Sequence, residues 1–297
     1  MTKKIKISRK DIMFYLINDG FLFIFLIVTL YPMIYFLSSS FSSPRAIIMG
    51  KVWLWPVEFT LKGYKAVFQD SYIMTGYRNT IFYTIAGTML NVVLTIMAAY
   101  PLSRKDFKLR NTIMMIFAFT MLFGGGLVPT YLLITNLGLK NNWLVMVIPG
   151  AITVRNVIIT RTFYQSNIAD EMLEAAKIDG CSDFQFIRMV VIPLSKSITA
   201  VMVLFYAVGH WNSFFNAFLY ITKRSLYPLQ LVLRDILIKN ALDASGMDDS
   251  RTYADNQNIE ELLKYSLIVV SAFPVMCLYP FVQKHFVKGV MIGAIKG

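Results

Sequence analysis

Residues able to do chemistry are few in this chain, and they fall in two places. The first is a charged interruption between strongly apolar segments, Asp170 to Pro193, reading DEMLEAAKIDGCSDFQFIRMVVIP. Met172, Leu173, Ala176 and Ile178 give it a modest apolar face among Asp170, Glu171, Glu174, Lys177 and Asp179. Ser166 and Asn167, just upstream, are candidate caps for a helix start. Asp170 and Glu171 suit its first turn, where the backbone dipole favours negative charge. Gly180 suits the helix end or a turn, where a Cβ would clash. Ala175 and Ala176 are small enough to let another surface come close. The pattern predicts a short amphipathic helix, a turn, and a second helix starting near Ser182 or Asp183. Its work is mechanical rather than covalent: a lever lying across a membrane surface and fitting a groove in a partner. The alternative is an ordinary cytoplasmic loop.

The second place is a set of polar residues inside apolar runs. Asn91 is one. His210, Asn212, Ser213 and Asn216 form another group, beside Trp211, Phe214 and Phe215. On one continuous helix, residues three and four apart share a face, which pairs Trp211 with Phe215 and Asn212 with Asn216. Aromatic faces with amides suit sugars, which present apolar C–H faces and many hydroxyls. The alternative is hydrogen bonding between helices, and Asn91 is read that way. Nothing near His210 completes a metal site, and His285, beside Lys284, is read as solvated. Cys181 and Cys277 lack metal-ligand spacing and are read as structural, without a disulfide.

Other chemistries are missing from the sequence. There is no G-x-x-x-x-G-K-[ST] phosphate cradle, so if ATP drives this protein another subunit must bind it. The apolar runs hold no Asp or Glu. Ion-coupled carriers commonly need such a group, which weakens an ion-coupled secondary transporter and leaves it as the alternative function. No polar catalytic set lies at depth, so the chain is expected not to be an enzyme by itself. No cofactor or metal is expected on it.

The elements that must position these residues are apolar. Of the 297 residues, 56% are hydrophobic and 15% charged, against about 25% charged in a soluble domain. Mean hydropathy is +0.56. A formal charge of +12 raises nucleic acid as a partner, but basic cytoplasmic loops explain it better in a membrane protein. Apolar runs long enough to cross a bilayer stand at residues 20–39, 78–102, 111–135, 143–163, 197–220 and 262–282. The first follows Lys3, Lys4, Lys6, Arg9 and Lys10 and is longer than a signal-peptide core, so it is read as a retained span. Residues 42–77, with Trp53 and Trp55, read as an extracytoplasmic loop with a short helix near Leu61 to Phe68. Arg104, Lys105, Lys108 and Arg110 form a basic cytoplasmic turn. Gly124, Gly125, Gly126 and Pro129, in the third run, are read as close helix packing rather than a hinge. Arg161 is placed to snorkel, and Arg155, deeper, needs a partner or water. Thr222 to Lys264 reads as an outer segment with a helical piece at Leu229 to Leu242 and a polar tail from Asp243 to Asn258. The expectation is an all-α membrane protein. It has six spans in one domain over residues 1–297, both termini cytoplasmic, and a cytoplasmic region at 166–193.

Glu174-Ala175-Ala176, Gly180 after a three-residue gap, and Val190, Ile192 and Pro193 after a nine-residue gap resemble the EAA motif of ABC importer permeases, E-A-A-x3-G-x9-I-x-L-P. Val190 and Ile192 are conservative departures. Arg78-Asn79-Thr80, Ala98-Ala99-Tyr100, Leu137-Gly138-Leu139, Trp211-Asn212 and the tail from Phe286 to Gly297 extend the likeness over the whole chain. It resembles the MalG-like permease subunits of carbohydrate-uptake ABC importers. Phe123 to Gly126 and the Asp-rich outer segment resemble a branch, mainly of Firmicutes, that handles larger oligosaccharides.

The resemblance implies a type I importer permease fold with a coupling helix, in the plasma membrane of a Gram-positive bacterium. It implies a homologous second permease, two ATPase subunits carrying ATP and Mg, and an extracytoplasmic sugar-binding protein. Glu174, Ala175, Ala176, Lys177, Asp179, Gly180 and Pro193 would then couple to the ATPases, with Glu174 facing a basic residue. The outer segment within Thr222 to Asn258 would meet the binding protein, and the tail from Lys288 would contact the ATPase pair. Uronate-containing oligosaccharides and host glycan fragments both fit as substrates.

Overall fold

A backbone in hydrocarbon has no water to bond, so an apolar run must close its own hydrogen bonds as helix. The computed structural model follows that rule: among the described residues, 9–243, 261–277 and 280, all repeating structure is helical and there is no strand. The expectations for Lys3, Lys4 and Lys6, the polar tail at 244–258, Lys284, His285 and residues 286–297 lie outside the described residues. Among the described residues two helices are long and apolar enough to cross a membrane, Ile12–Ser40 and Ser71–Ser103.

In chain order, α1 is Arg9–Ser40, α2 Pro44–Ile48 and α3 Lys62–Gln69. The long α4 is Ser71–Ser103, followed by α5 (Arg110–Leu122), α6 (Leu127–Asn136) and α7 (Val154–Asn167). Next come α8 (Asp170–Ile178), α9 (Asp183–Phe186), α10 (Ile192–Leu194), α11 (Lys196–Trp211), α12 (Phe215–Tyr220) and α13 (Leu229–Asp243). Residues 261–277 form α14. Contacts divide the chain into two compact units, Met1–Asp70 with Ile236–Val270 and Ser71–Asp235 with Ser271–Gly297.

In the first unit α1 is apolar all round from Gly20 to Leu37, and no part of its membrane-length window is buried. A helix of that kind belongs in an apolar surrounding. Its Thr29 hydroxyl donates back to the Phe25 and Leu26 carbonyls, so it needs no outside partner. Below it Ser38, Ser39, Ser40 and Ser42 are buried. Ser38 Oγ donates to the Leu54 carbonyl at 2.6 Å. Ser42 Oγ donates to the Ser38 carbonyl and accepts the Val57 N–H at 3.0 Å. The expected short helix is present as α3. Gly63 lets it touch α14, since a Cβ there would run into Ser266 Oγ and lie 3.0 Å from the Leu262 carbonyl.

The second unit is built around α4, with α7 and α11 against it. The core at its basic end joins Tyr100, Val157, Tyr164, Leu173, Phe186 and Tyr206. Thr95 Oγ1 and the Tyr206 hydroxyl share a buried bond of 2.7 Å across α4 and α11. At the other end α4 grips the turn before α13. Asn79 Nδ2 donates to the Ser225 and Tyr227 carbonyls at 2.8 and 3.0 Å. The Tyr83 hydroxyl donates to the Leu226 carbonyl at 2.9 Å.

Pro228 precedes α13 and has no side-chain acceptor, so the first N–H of α13 is capped from across the interface. Thr80 Oγ1 accepts the Leu229 N–H at 2.7 Å. Thr80→Val keeps the shape and strands that buried donor, at about 1–3 kcal/mol. Thermal unfolding in detergent should show a lowered midpoint; an unchanged one means the cap contributes nothing.

Three expected spans are not single helices. The third breaks at residues 123–126, and α5 and α6 meet at 111°. A Cβ at Gly124 or Gly126 would meet open space, so these glycines do not serve close packing as expected. Gly126 has φ +82°, a conformation that favours glycine, and it turns the chain. The expected fourth span is a 3-10 turn at Trp143–Met146, an irregular stretch over 147–153, and then α7. The fifth stops at Trp211 and resumes at Phe215.

Candidate coupling site

The motif forms the expected short helix, turn and second helix, α8 and α9. Ser166 and Asn167 do not cap α8; they end α7, and Asn167 Nδ2 donates to the Phe163 carbonyl at 2.8 Å. The N-cap of α8 is Ala169, with no side-chain bond. Charge does that work instead. Asp170 lies 2.7 Å from Arg104 Nη2 and 3.0 Å from Lys105 Nζ. At the other end Lys177 Nζ lies 3.7 Å from Asp106. The α4–α5 turn therefore holds α8 at both ends, a role the sequence reading of Arg104 and Lys105 as topology signals did not contain.

The Lys105 hydrogen bond, with the charges of Arg104, Lys105 and Arg110, holds the Asp170 carboxyl below its usual value of 3.8 against the opposing effect of desolvation. A depressed carboxyl stabilises above its unfolded pKa and loses that effect as pH falls through the folded one. The pairing is therefore intact at neutral pH and is lost only in acid, below the usual carboxylate pKa.

Leu173 is buried, and Ala176 packs beside it into the core of Tyr164 and Phe186. Ile178 does not join that face as expected: it is 87% exposed. Glu171, Glu174, Ala175 and Ile178 stand at helical spacing on the opposite, exposed face. The helix ends in a Schellman closure, with the Cys181 N–H donating to the Ala176 carbonyl at 2.9 Å and the Gly180 N–H to Lys177 at 3.1 Å. Gly180 has φ +77°, and a Cβ there would meet open space. Backbone conformation, not the expected clash, makes glycine suitable.

The second helix, α9, starts at Asp183 as predicted, and a capping box between Ser182 and Gln185 opens it. The chain then widens into a π turn over Ile187–Val191, where the Ile192 N–H donates to the Ile187 carbonyl. Pro193 follows directly. Proline has no N–H and its ring collides with the carbonyl four residues back in a regular helix, which a widened turn accommodates. Residues 183–194 meet α11 at 84°.

The polar set at depth is rearranged. Because α11 ends at Trp211, neither Trp211 with Phe215 nor Asn212 with Asn216 lies on one continuous helix face. Trp211 is buried and its Nε1 donates to the Ser271 carbonyl at 2.8 Å. His210 packs its ring on Gly87, and its Nε2 is buried without a partner among the described residues. Asn91 is 3% exposed, with Oδ1 unpartnered among the described residues. Asn212 Nδ2 donates to the Val208 carbonyl at 2.9 Å. Phe215 is exposed and Asn216 half-buried. Arg155 finds a partner in the Phe205 ring, 5.7 Å from its centroid, within cation–π range. Arg161 Nε donates to the Leu102 carbonyl at 2.8 Å and so closes the end of α4.

Sequence reasoning also missed a groove of about 550 Å³ lined by Arg78, Phe82, Ile85 and Trp143. Its Phe82 and Trp143 rings meet edge-on at 5.1 Å. Among the described residues no group of three or more His, Cys, Asp or Glu is placed to hold a metal ion.

A family model described as the binding-protein-dependent transport system inner membrane component matches residues 73–292. This chain belongs to that family. The family match begins close to Ser71, where the second compact unit begins, so α4 and the coupling site fall within it and α1 precedes it. Relatives extend the likeness over the whole permease. Protein LplC of Bacillus subtilis is 38% identical over 91% of this chain and 90% of its own. The polygalacturonan/rhamnogalacturonan transport system permease protein YtcP of the same species is 37% identical over 97% and 100%. The crystal structure of a bacterial ABC transporter involved in import of the acidic polysaccharide alginate contains a similar chain. It is 33% identical, with a TM-score of 0.86, over 95% of this permease and 100% of that chain.

Proposed function

We propose that this permease is one half of the translocation pathway of an ATP-driven importer of oligosaccharides rich in uronic acids. One observation carries the reading: likeness over nearly the whole chain to a polygalacturonan/rhamnogalacturonan permease and to a chain of an alginate importer. The groove beside Arg78 supports it, since a cation next to aromatic edges suits a carboxylated sugar. Nothing favours ion coupling.

In this reading the whole chain works as one permease domain with six passes, three of them broken, in a bacterial plasma membrane, Gram-positive like the Bacillus relatives. Both termini and the region 166–193 face the cytoplasm, because the basic turn at Arg104 to Arg110 does. A homologous permease pairs with it, two ATPase subunits bind ATP and Mg below, and an extracytoplasmic binding protein delivers sugar above. No cofactor is held by this chain.

Glu174 and Ala175, on the exposed face of α8, are the docking residues, with Ile178 added to them by its exposure. Ala176 seats the helix, Lys177 ties it to Asp106, and Asp179 and Gly180 close it. Pro193 passes the motion to α11. Asn212, Phe215 and Asn216 keep some accessible surface as candidate sugar contacts; Asn91, His210 and Trp211 support the helices around them. ATP binding favours one permease conformation because the closed ATPase pair binds that conformation more tightly.

The test is uptake into proteoliposomes holding the full complex. Labelled oligogalacturonate should accumulate with ATP and binding protein, and a neutral oligosaccharide of equal length should not. Equal uptake of both sinks the acidic class. Accumulation by the purified chain alone, on an ion gradient, sinks the whole reading.

A further inference from the structure

Two routes leave the coupling helix, and they differ in stiffness. One runs through α9, the π turn, Pro193 and an 84° bend into α11. A widened turn, a proline and a sharp bend in succession make a compliant joint. The other route is direct. Asp170 is ion-paired at 2.7 Å to Arg104, whose side chain is 8% exposed, and at 3.0 Å to Lys105. Arg110 Nη1 donates to the Arg104 carbonyl at 3.1 Å, and Arg161 holds Leu102. These groups lock the α4–α5 turn to α8 at the basic end of α4.

From there α4 runs for 33 residues, about 50 Å at 1.5 Å per residue, with Pro101 confined to its last turn, which the Arg161 bond to Leu102 braces. About 35 Å along it from Arg104, its outer half holds residues 225–229 with four hydrogen bonds, two from Asn79 and one each at Tyr83 and Thr80. A continuous helix fastened near one end to α8 and further along to the segment at 225–229 moves both together.

We infer that α4 is the main push-rod of this permease, with Arg104 and Asp170 as positioning residues that make α8 and α4 one rigid body. The inference rests on the proposed docking of ATPases on α8. ATPase motion then reaches the segment at 225–229, on the side where the binding protein arrives, without passing through Pro193.

The experiment compares wild type, Asp170→Asn, Arg104→Gln, the double variant and Asp170→Glu in the fully assembled complex. The readings are oligosaccharide moved per ATP hydrolysed and stimulation of ATP hydrolysis by the binding protein. Each single neutralisation should cut transport per ATP by about tenfold while the assembled complex still hydrolyses ATP. The double variant should be no worse than either single one, since both remove the same contact, and Asp170→Glu should recover most coupling. Unchanged coupling in the single variants overturns the inference, as does an additive double variant. Loss of assembly in place of loss of coupling also overturns it, because the pair is then only a support for docking. A wild-type complex that hydrolyses ATP but moves no acidic oligosaccharide fails the substrate reading alone. The relay is then still decided by whether the variants lose stimulation by the binding protein.

Discussion

Replacing Glu174 with Lys is expected to abolish uptake while the permease itself stays folded in the membrane. Glu174 is exposed on α8 and has no ion-pair partner among the described residues. Substitutions at such positions usually change stability by about 0.5 kcal/mol or less. A charge that becomes buried and paired on docking is another matter: its loss commonly costs about 2–5 kcal/mol of binding. That is at least about thirtyfold in ATPase affinity, and reversal adds repulsion. The measurements are co-purification of the ATPase subunits and uptake in whole cells, with sugar affinity of the isolated binding protein as the control. The control should not move. Normal uptake by the Lys variant would remove Glu174 from the docking surface.

Gly87→Leu should be the most damaging substitution inside the bundle. A Cβ at Gly87 would overlap the His210 ring, so α4 and α11 approach here only because one side has no side chain. Forcing volume into such a contact costs about 1–3 kcal/mol. The thermal midpoint in detergent should fall clearly. His210→Ala vacates the space, so the double variant should regain much of the loss, a non-additivity expected of residues in contact. A double variant as unstable as the sum of the single ones would mean that the damage arises elsewhere.

How much of this was legible depends on what each signal measures. Hydropathy reports what surrounds a segment, and it found α1 and α4 because both are long and apolar. It does not report backbone direction, so the runs over 111–135, 143–163 and 197–220 read as straight spans. The breaks were written in other terms. Gly124 to Gly126 removes side-chain constraint where the chain turns, and Asn212 to Phe214 interrupts the fifth run. The aromatic and amide pairs argued from helical spacing failed for that reason: the spacing rule needs a continuous helix.

The short helix α8 was legible because its signals are local. Acidic residues at the start and Gly180 at the end each act within a turn or two. The grip on it was not, since Arg104 and Asp170 are far apart in sequence and each looked like an ordinary surface charge. His210 on Gly87 and Thr80 on Leu229 were hidden in the same way.

The bare first helix has a practical consequence. Leu16, Phe21, Phe23 and Ile24 each leave more than half of their surface uncovered, so the N-terminal rod depends on whatever coats it. Detergent that wets it incompletely leaves an oily seam, and seams of that kind stick to one another. Loss of monodispersity during purification will therefore begin at this rod, ahead of any melting of the bundle around α4. Gentle extraction that keeps native lipid around α1 matters more for a well-behaved sample than stabilising the rest.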